Sequence, residues 1–525
     1  MSDGSVQRQR RDQPSVPVLQ EQRVGEILAA VPGREQWRYR PRRVGTLLRN
    51  RTFRVVAVFT LLALCGVVIL ALVRDQTGTE GFLVGLGLAV LPVPVLMTAF
   101  RWLDRVDPGP WRNLLFAFAW GACAAALVAI LANSFATRWI AGTDPANADT
   151  LGATVIAPIV EESAKGAAVL LLLLFRRREF TGVVHGAVAA GFTATGFAFT
   201  ENILYLGNAF GEDQQTDSGF ASATVTTFLV RAVMTPFAHP LFTVLTGIGL
   251  GIAASAAPGG RVRRIAAPLG GLLLAMGMHA LWNGSATFGR YGFYIVYGTF
   301  MVPVFGVVTW LVIRARRREL RSLAVELPAY AEAGWISPAE PLALASMRAR
   351  ALARNAARRR YEAAGGFPGH PYHPAHAASF SPPGARERGR AAARTVAEYE
   401  AFATTLGLLR RQARRGTADP DFAARELELL HHLWQRREIA GPALAYAARA
   451  THRRPPGTPP PWPHHAHGTP RPYGSPVPHP YTSVPNPYTS VPNPYASPPA
   501  PYSAANPYRA PNPYGGPYPY TDRQP

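Results

Sequence analysis

Eight apolar runs, each long enough to cross a hydrocarbon core about 30 Å thick, recur through the first 313 residues of the chain. They fall at about 55–73, 82–100, 114–133, 152–175, 182–207, 224–256, 265–287 and 291–313. A backbone inside lipid has no water to bond with, so runs of this length predict helices. The fold class expected is all-α: a polytopic membrane domain of about eight transmembrane helices. The sixth run is too long for one span, and Pro236 and Pro240 mark a kink or a re-entrant start within it. Some 50 polar residues precede the first run, so it reads as an uncleaved anchor.

Arginine orients these spans. Basic clusters stand at Arg38, Arg40, Arg42 and Arg43, at Arg101, Arg105 and Arg112, and at Arg176–Arg178. They continue at Arg261, Arg263 and Arg264 and at Arg316–Arg318. The loops between carry Asp75, Glu80, Asp144, Asp149, Glu212, Asp213 and Asp217 instead. This alternation puts the basic loops and both termini on the cytoplasmic side of the plasma membrane.

Composition then divides the chain. Only 16% of its 525 residues are charged, yet the net charge is +22, and 49 prolines accompany 48 glycines. Few charges with a large imbalance fit a charge-poor portion joined to a basic one. The division expected is a polar cytoplasmic tail over 1–50, the membrane domain over 51–313, a basic helical region over 314–450 and a disordered tail over 451–525. Arg348, Arg350, Arg354 and Arg358–Arg360 suit an interfacial helix on anionic lipid. After a Gly/Pro/His break at about 363–385, two helices are expected around the turn Gly416–Pro420. The tail repeats Thr482–Tyr488 as Thr489–Tyr495 and holds four Asn-Pro-Tyr units. It is either a spacer or a segment for a cytoplasmic partner. The basic stretches read as lipid-facing or solvated surfaces, so no nucleic acid is expected as a partner. Cys65 and Cys123 lie in separate apolar runs, which excludes a disulfide framework and a CxxC metal site. The Arg/Ala/Gly/Pro bias suggests a GC-rich bacterial genome.

Ionisable groups inside spans are costly and mark candidate sites. The fourth run holds Glu161, Glu162 and Lys165, the chain's one lysine. Spacing of i, i+4 lets Lys165 pair with Glu161, with Glu162 turned about 100° away. The fifth run holds Glu201 and Asn202, the sixth His239, and the seventh His279 and Asn283 one turn apart. Counted from the nearest basic cluster, Glu161, His279, His239 and Glu201 lie 15, 15, 22 and 23 residues in. At 1.5 Å per residue that is roughly 22–35 Å, the outer half of the bilayer. Shared depth argues for one site opening toward the extracytoplasmic face. Two imidazoles with carboxylates are usual ligands of a hydrolytic zinc or similar divalent metal, with another Glu free as general base. Asn283 could orient a ligand or donate to an oxyanion. Singly, each residue has a plainer role: a structural ion pair, a packed histidine, or interhelical hydrogen bonding. Arg231 reads as an interfacial anchor and His185 as lying outside the site.

The series Glu-Glu-x-x-Lys, Phe-x-x-x-Glu-Asn, an isolated His and His-x-x-x-Asn, each on its own span over about 150–290, resembles the PrsW family of intramembrane proteases. That family is grouped with the type II CAAX prenyl endopeptidases. Lys165 and Glu201 depart from the wider group's Glu-Glu-x-x-x-Arg and Phe-x-x-x-His and point to the PrsW branch. The resemblance implies an intramembrane metalloprotease that cuts a membrane-anchored protein, such as an anti-sigma factor, on its outer side. It puts Glu161 and Glu162 in the base role, with Lys165 and Asn283 beside them. It places Glu201, His239 and His279 around the metal. A proton- or ion-coupled transporter and a non-catalytic scaffold are the competing readings.

Overall fold

The computed structural model describes residues 51–216, 222–256, 259–289, 291–363, 384–416 and 421–451. They belong to one unit of the chain, Met1–Leu19 with Arg42–Arg453. The N-terminal tail, the 363–385 break but for its edges, the Gly416–Pro420 turn beyond Gly416 and the Pro/Tyr tail beyond Thr451 lie outside the described residues. Every regular element described is helical.

Six helical stretches among the described residues are long and apolar enough to cross a membrane. The first, Val55–Leu103, is 49 residues long. It comprises α1 (Arg51–Val90) and α2 (Pro92–Leu103), and α1 is broken at Gly78, whose φ of 72° only glycine adopts freely. Next comes α3 (Trp111–Ala141), with a π turn at Trp120–Ala125. A second π turn, Gly152–Ile156, leads into α4 (Ala157–Phe175), which carries Glu161, Glu162 and Lys165. Then follow α5 (Val183–Thr216), α6 (Ala223–Phe228, extended by the π segment Leu229–Met234), α7 (Ala238–Ala254), α8 (Arg261–Gly284) and α9 (Val302–Glu326). The expected break in the sixth run falls between α6 and α7, with Pro236 in the break and Pro240 in the first turn of α7.

The buried helix α5 organises the membrane domain. Its Val188 and Phe192 share one core with Val169 and Leu172 of α4, Leu241 and Phe242 of α7, and Met278 of α8. Its Phe197 and Ile203 share a second with Ile69 and Val73 of α1 and Ala125 of α3. Small residues allow this closeness: a Cβ on Gly186 would stand 2.0 Å from the Gly247 carbonyl oxygen, and one on Gly196 would stand 2.1 Å from that of Phe118. The outside is apolar instead, with Leu61, Val67, Phe135, Trp139, Leu174 and Leu273 exposed. Such large bare side chains suit lipid rather than water. The chain is a multi-pass membrane protein. Cys65 and Cys123 are free.

Beyond α9 the chain forms a three-helix bundle of α10 (Met347–Ala363), α11 (Ala385–Arg414) and α12 (Phe422–Thr451). Part of the arginine-rich segment expected on lipid turns inward here. Arg350 is buried and donates to the Leu344 carbonyl at 2.8 Å and to Thr404 Oγ1 at 2.7 Å. Arg354 pairs with Glu400 at 2.6 Å. Arg348 and Arg358–Arg360 stay exposed. The bundle is seated on α9, where a Cβ on Gly407 would meet Leu323 at 2.5 Å.

Candidate active site

Four helices and the π segment after α6 deliver charged side chains to one place. Glu161, Glu162 and Lys165 occupy one stretch of α4, all buried. Lys165 Nζ lies 2.7 Å from Glu162 Oε1 and 3.3 Å from Glu161 Oε2. It therefore binds both carboxylates, at i, i+4 and i, i+3 along α4, and Glu162 is the nearer. It also stands 3.2 Å from His239 Nδ1 and 4.0 Å from the centroid of the Phe197 ring. Two adjacent carboxylates in a medium of low dielectric need such a counter-charge to stay ionised together.

His239 enters from the first turn of α7 and His279 from α8. Each imidazole has a carboxylate behind it. His239 Nε2 lies 2.6 Å from Glu201 Oε2, and His279 Nδ1 lies 3.1 Å from Glu162 Oε1. Their other nitrogens face inward: His239 Nδ1 toward Lys165, and His279 Nε2 toward Glu161 Oε2 at 3.9 Å. The rings stand edge to face with centroids 5.5 Å apart, and His279 stacks on Phe242. A carboxylate on the far nitrogen fixes an imidazole's tautomer and aim.

The structure thus brings together Glu161, Glu162, Lys165, Glu201, His239 and His279, but in two layers. Glu161, His239 and His279 each offer one donor atom, and the three atoms lie within 4.8 Å of one another. Two imidazoles, one carboxylate and an open fourth position are the donor set of a catalytic divalent metal, so these residues fit one in type and separation. Glu201 stands outside that trio. It is bound by His239 and by Arg231, which also donates to Asn202 Oδ1 at 2.8 Å and covers the Tyr205 ring. Arg231, expected as an interfacial anchor, is the counter-ion of Glu201.

Asn283 faces elsewhere. Its amide donates to the Ala153 carbonyl at 2.8 Å, tying α8 to the π turn before α4. His185 lies apart from the site, 2.8 Å from Thr181 Oγ1. Two participants escaped the sequence reading. Thr243 donates to Glu162 Oε2 at 2.9 Å, and the Asn133 amide approaches Glu161 Oε1 at 3.4 Å. Each is one polar residue in an apolar run, the signal that could have drawn attention to it.

Beside His239, Asn202, Arg231, Thr235 and Trp282 a cavity of about 20 Å³ opens, large enough for one water. Pro92, Leu96 and Pro236 also line an adjoining groove of about 320 Å³ between α2 and α6, walled by Val95, Phe228 and Val233. Water and an extended peptide are what a hydrolase within a membrane must admit. Residues 109–308 match the sequence model of the PrsW family intramembrane metalloproteases. No curated protein and no solved structure matches the chain. The matched segment includes the whole of α4 through α8 and with them all six convergent side chains, and so the chain carries a PrsW family intramembrane metalloprotease domain, that of a peptide hydrolase.

Proposed function

We propose that the protein is an endopeptidase that cuts a membrane-anchored protein close to the extracytoplasmic face of the plasma membrane, an anti-sigma factor being one such substrate. The observation that carries this reading is the inward convergence of His239, His279 and Glu161, with a carboxylate behind each imidazole. The domain spans the bilayer eight times: twice in Val55–Leu103, once in α4 and once in each of the other five long stretches. Both termini are cytoplasmic.

Glu161, His239 and His279 would hold the metal, for which zinc is the best match to two imidazoles and a carboxylate. When bound, it polarises the scissile carbonyl and makes water a stronger acid. The Glu161 oxygen that does not serve as a ligand accepts the proton of the attacking water, and the Asn133 amide approaches that carboxylate. The proton then passes to the amide nitrogen as the C–N bond breaks. Glu162 and Glu201 act from behind, holding His279 and His239 in the tautomers that present their inner nitrogens. Lys165 sets positive charge against the paired glutamates and beside the developing oxyanion. Asn283 positions α8 rather than touching the substrate.

To test this, the full chain is reconstituted in liposomes with single-span proteins of known orientation. Cleavage on the lumenal or outer side by the wild type, lost in Glu161→Gln and His279→Ala, is expected. Full cleavage by either variant overturns the reading, as does proton or ion flux without cleavage. Comparing released ectodomains from cells with and without a chromosomal Glu161→Ala change identifies the substrate.

A further inference from the structure

A second cavity lies far from the catalytic cluster, where α7, α8 and α9 lose their apolar character and meet α11. It measures about 570 Å³. Five arginines converge on it: Arg263 from α8, Arg314 and Arg318 from α9, and Arg411 with Arg415 at the end of α11. Glu319 is the one carboxylate on its wall. Among the described residues none of the five arginines forms a salt bridge. An adjoining cavity of about 370 Å³ shares Arg318, Arg411 and Arg415 and adds Arg321.

Gathering five guanidinium groups beside one carboxylate leaves positive charge in excess, which is costly. Burial, then the neighbouring Arg411, Arg414 and Arg263, push the pKa of Arg415 down against the pull of Glu326. An anion with several acceptor oxygens relieves this, because guanidinium forks match phosphate oxygens in pairs. The opposite wall is apolar, formed by Ile248 and Ile252 of α7 and Trp310 and Leu311 of α9. A ligand that satisfies both walls has a phosphate next to a hydrocarbon chain. A soluble phosphate leaves the apolar wall bare.

We propose that this cavity binds the headgroup of an anionic phospholipid, its phosphate among Arg263, Arg314, Arg318, Arg411 and Arg415 and its acyl chains along Trp310 and Leu311. Arginines of the membrane helices and of α11 would share one phosphate, so the lipid fastens the three-helix bundle to the membrane domain. This goes beyond proteolysis and is independent of the catalytic assignment.

The full chain is purified in nanodiscs of phosphatidylcholine with phosphatidylglycerol, and retained lipid is followed by native mass spectrometry. Selective retention of phosphatidylglycerol is expected. The triple variant Arg318→Gln/Arg411→Gln/Arg415→Gln should weaken it on the order of a hundredfold, about fivefold per arginine. The double variant Arg263→Gln/Arg314→Gln leaves α11 intact and should weaken it on the order of twentyfold by the same rule. Arg359→Gln/Arg360→Gln, on the exposed face of α10, should change nothing. Unchanged retention in the double variant overturns the proposal. Equal loss in the α10 control also overturns it, showing a diffuse basic surface. Displacement of the lipid by inorganic phosphate at matched concentration overturns it in favour of a soluble ligand.

Discussion

Glutamates withdrawn from water gather in the helical bundle and at the membrane site, with Glu319 and Glu326 of α9 apart from both, and the partners of the two groups differ. In the helical bundle Glu340 accepts from the Tyr399 hydroxyl and the Ser337 N–H. Glu426 accepts from the Tyr330 hydroxyl and from Arg410, and Glu400 from Arg354. Each of these acids is bound by neighbours from fixed positions, with Glu400 Oε1 the one buried oxygen among them that has no hydrogen-bond partner. In the membrane domain Glu161 and Glu162 share Lys165, Glu201 is bound by Arg231, and two imidazoles stand among the three acids, with a water-sized cavity alongside. Burial of charge is therefore not the mark of a site here. The mark is a carboxylate facing an imidazole whose other nitrogen is already held.

The largest effect should come from the one carboxylate that faces both imidazoles. Glu161→Gln should lower cleavage by about 10²–10⁴-fold while leaving the thermal transition in place. Glu426→Gln should leave turnover unchanged in the same assay; equal losses would erase the distinction between the two regions. Next, Glu201→Gln should reduce activity or metal content about 10–100-fold, read as bound metal per chain beside cleavage rate. An effect as large as that of His239→Ala would make Glu201 a ligand instead of a backing group. Lys165→Met should cost about 3–5 kcal/mol of stability, because it strands two buried carboxylates; an unshifted melting temperature argues against a charged cluster.

Smaller effects belong to the bundle. Burial pushes Glu400 up to about 7, against the pull of Arg354 and Arg350, and it also raises Glu340 and Glu426. A carboxyl with a raised native pKa binds its proton more tightly folded than unfolded. Its contribution is complete below the unfolded value, about 4.3, and is lost as pH rises through about 7. Hydrogen exchange of α10–α12 in the full chain should therefore quicken from pH 5 to pH 8, after correction for intrinsic rates. The change should correspond to on the order of 1–3 kcal/mol, and Glu400→Gln should flatten it. A slope of opposite sign would refute the buried-acid account of the bundle.

The sequence made the site's membership readable because an ionisable residue in an apolar run is conspicuous. Glu161, Glu162, Lys165, Glu201, His239 and His279 all stood out that way, and they do meet. Their division into an inner trio and backing acids did not stand out, since spacing along a helix says nothing of which imidazole nitrogen faces which neighbour. Asn283 shows the same limit. It shares a helix face with His279 by spacing, yet its amide goes to Ala153 within a π turn, where carbonyls lose their usual helical donors. In the bundle, Arg350, Glu340 and Glu400 look like any charged residues of polar helices, and only tertiary packing buries them. A break between the first two apolar runs, which falls at Gly78, the kink before α7 and the long apolar helices were legible from hydropathy and from Pro236 and Pro240.

The central claim is that Glu161 and the two backed imidazoles form the hydrolytic centre. The most direct test is side-by-side cleavage of one reconstituted single-span substrate by the wild type and by Glu161→Gln, with both proteins shown to melt alike. The account predicts cleavage by the first and none measurable by the second. Equal cleavage by the two would contradict it.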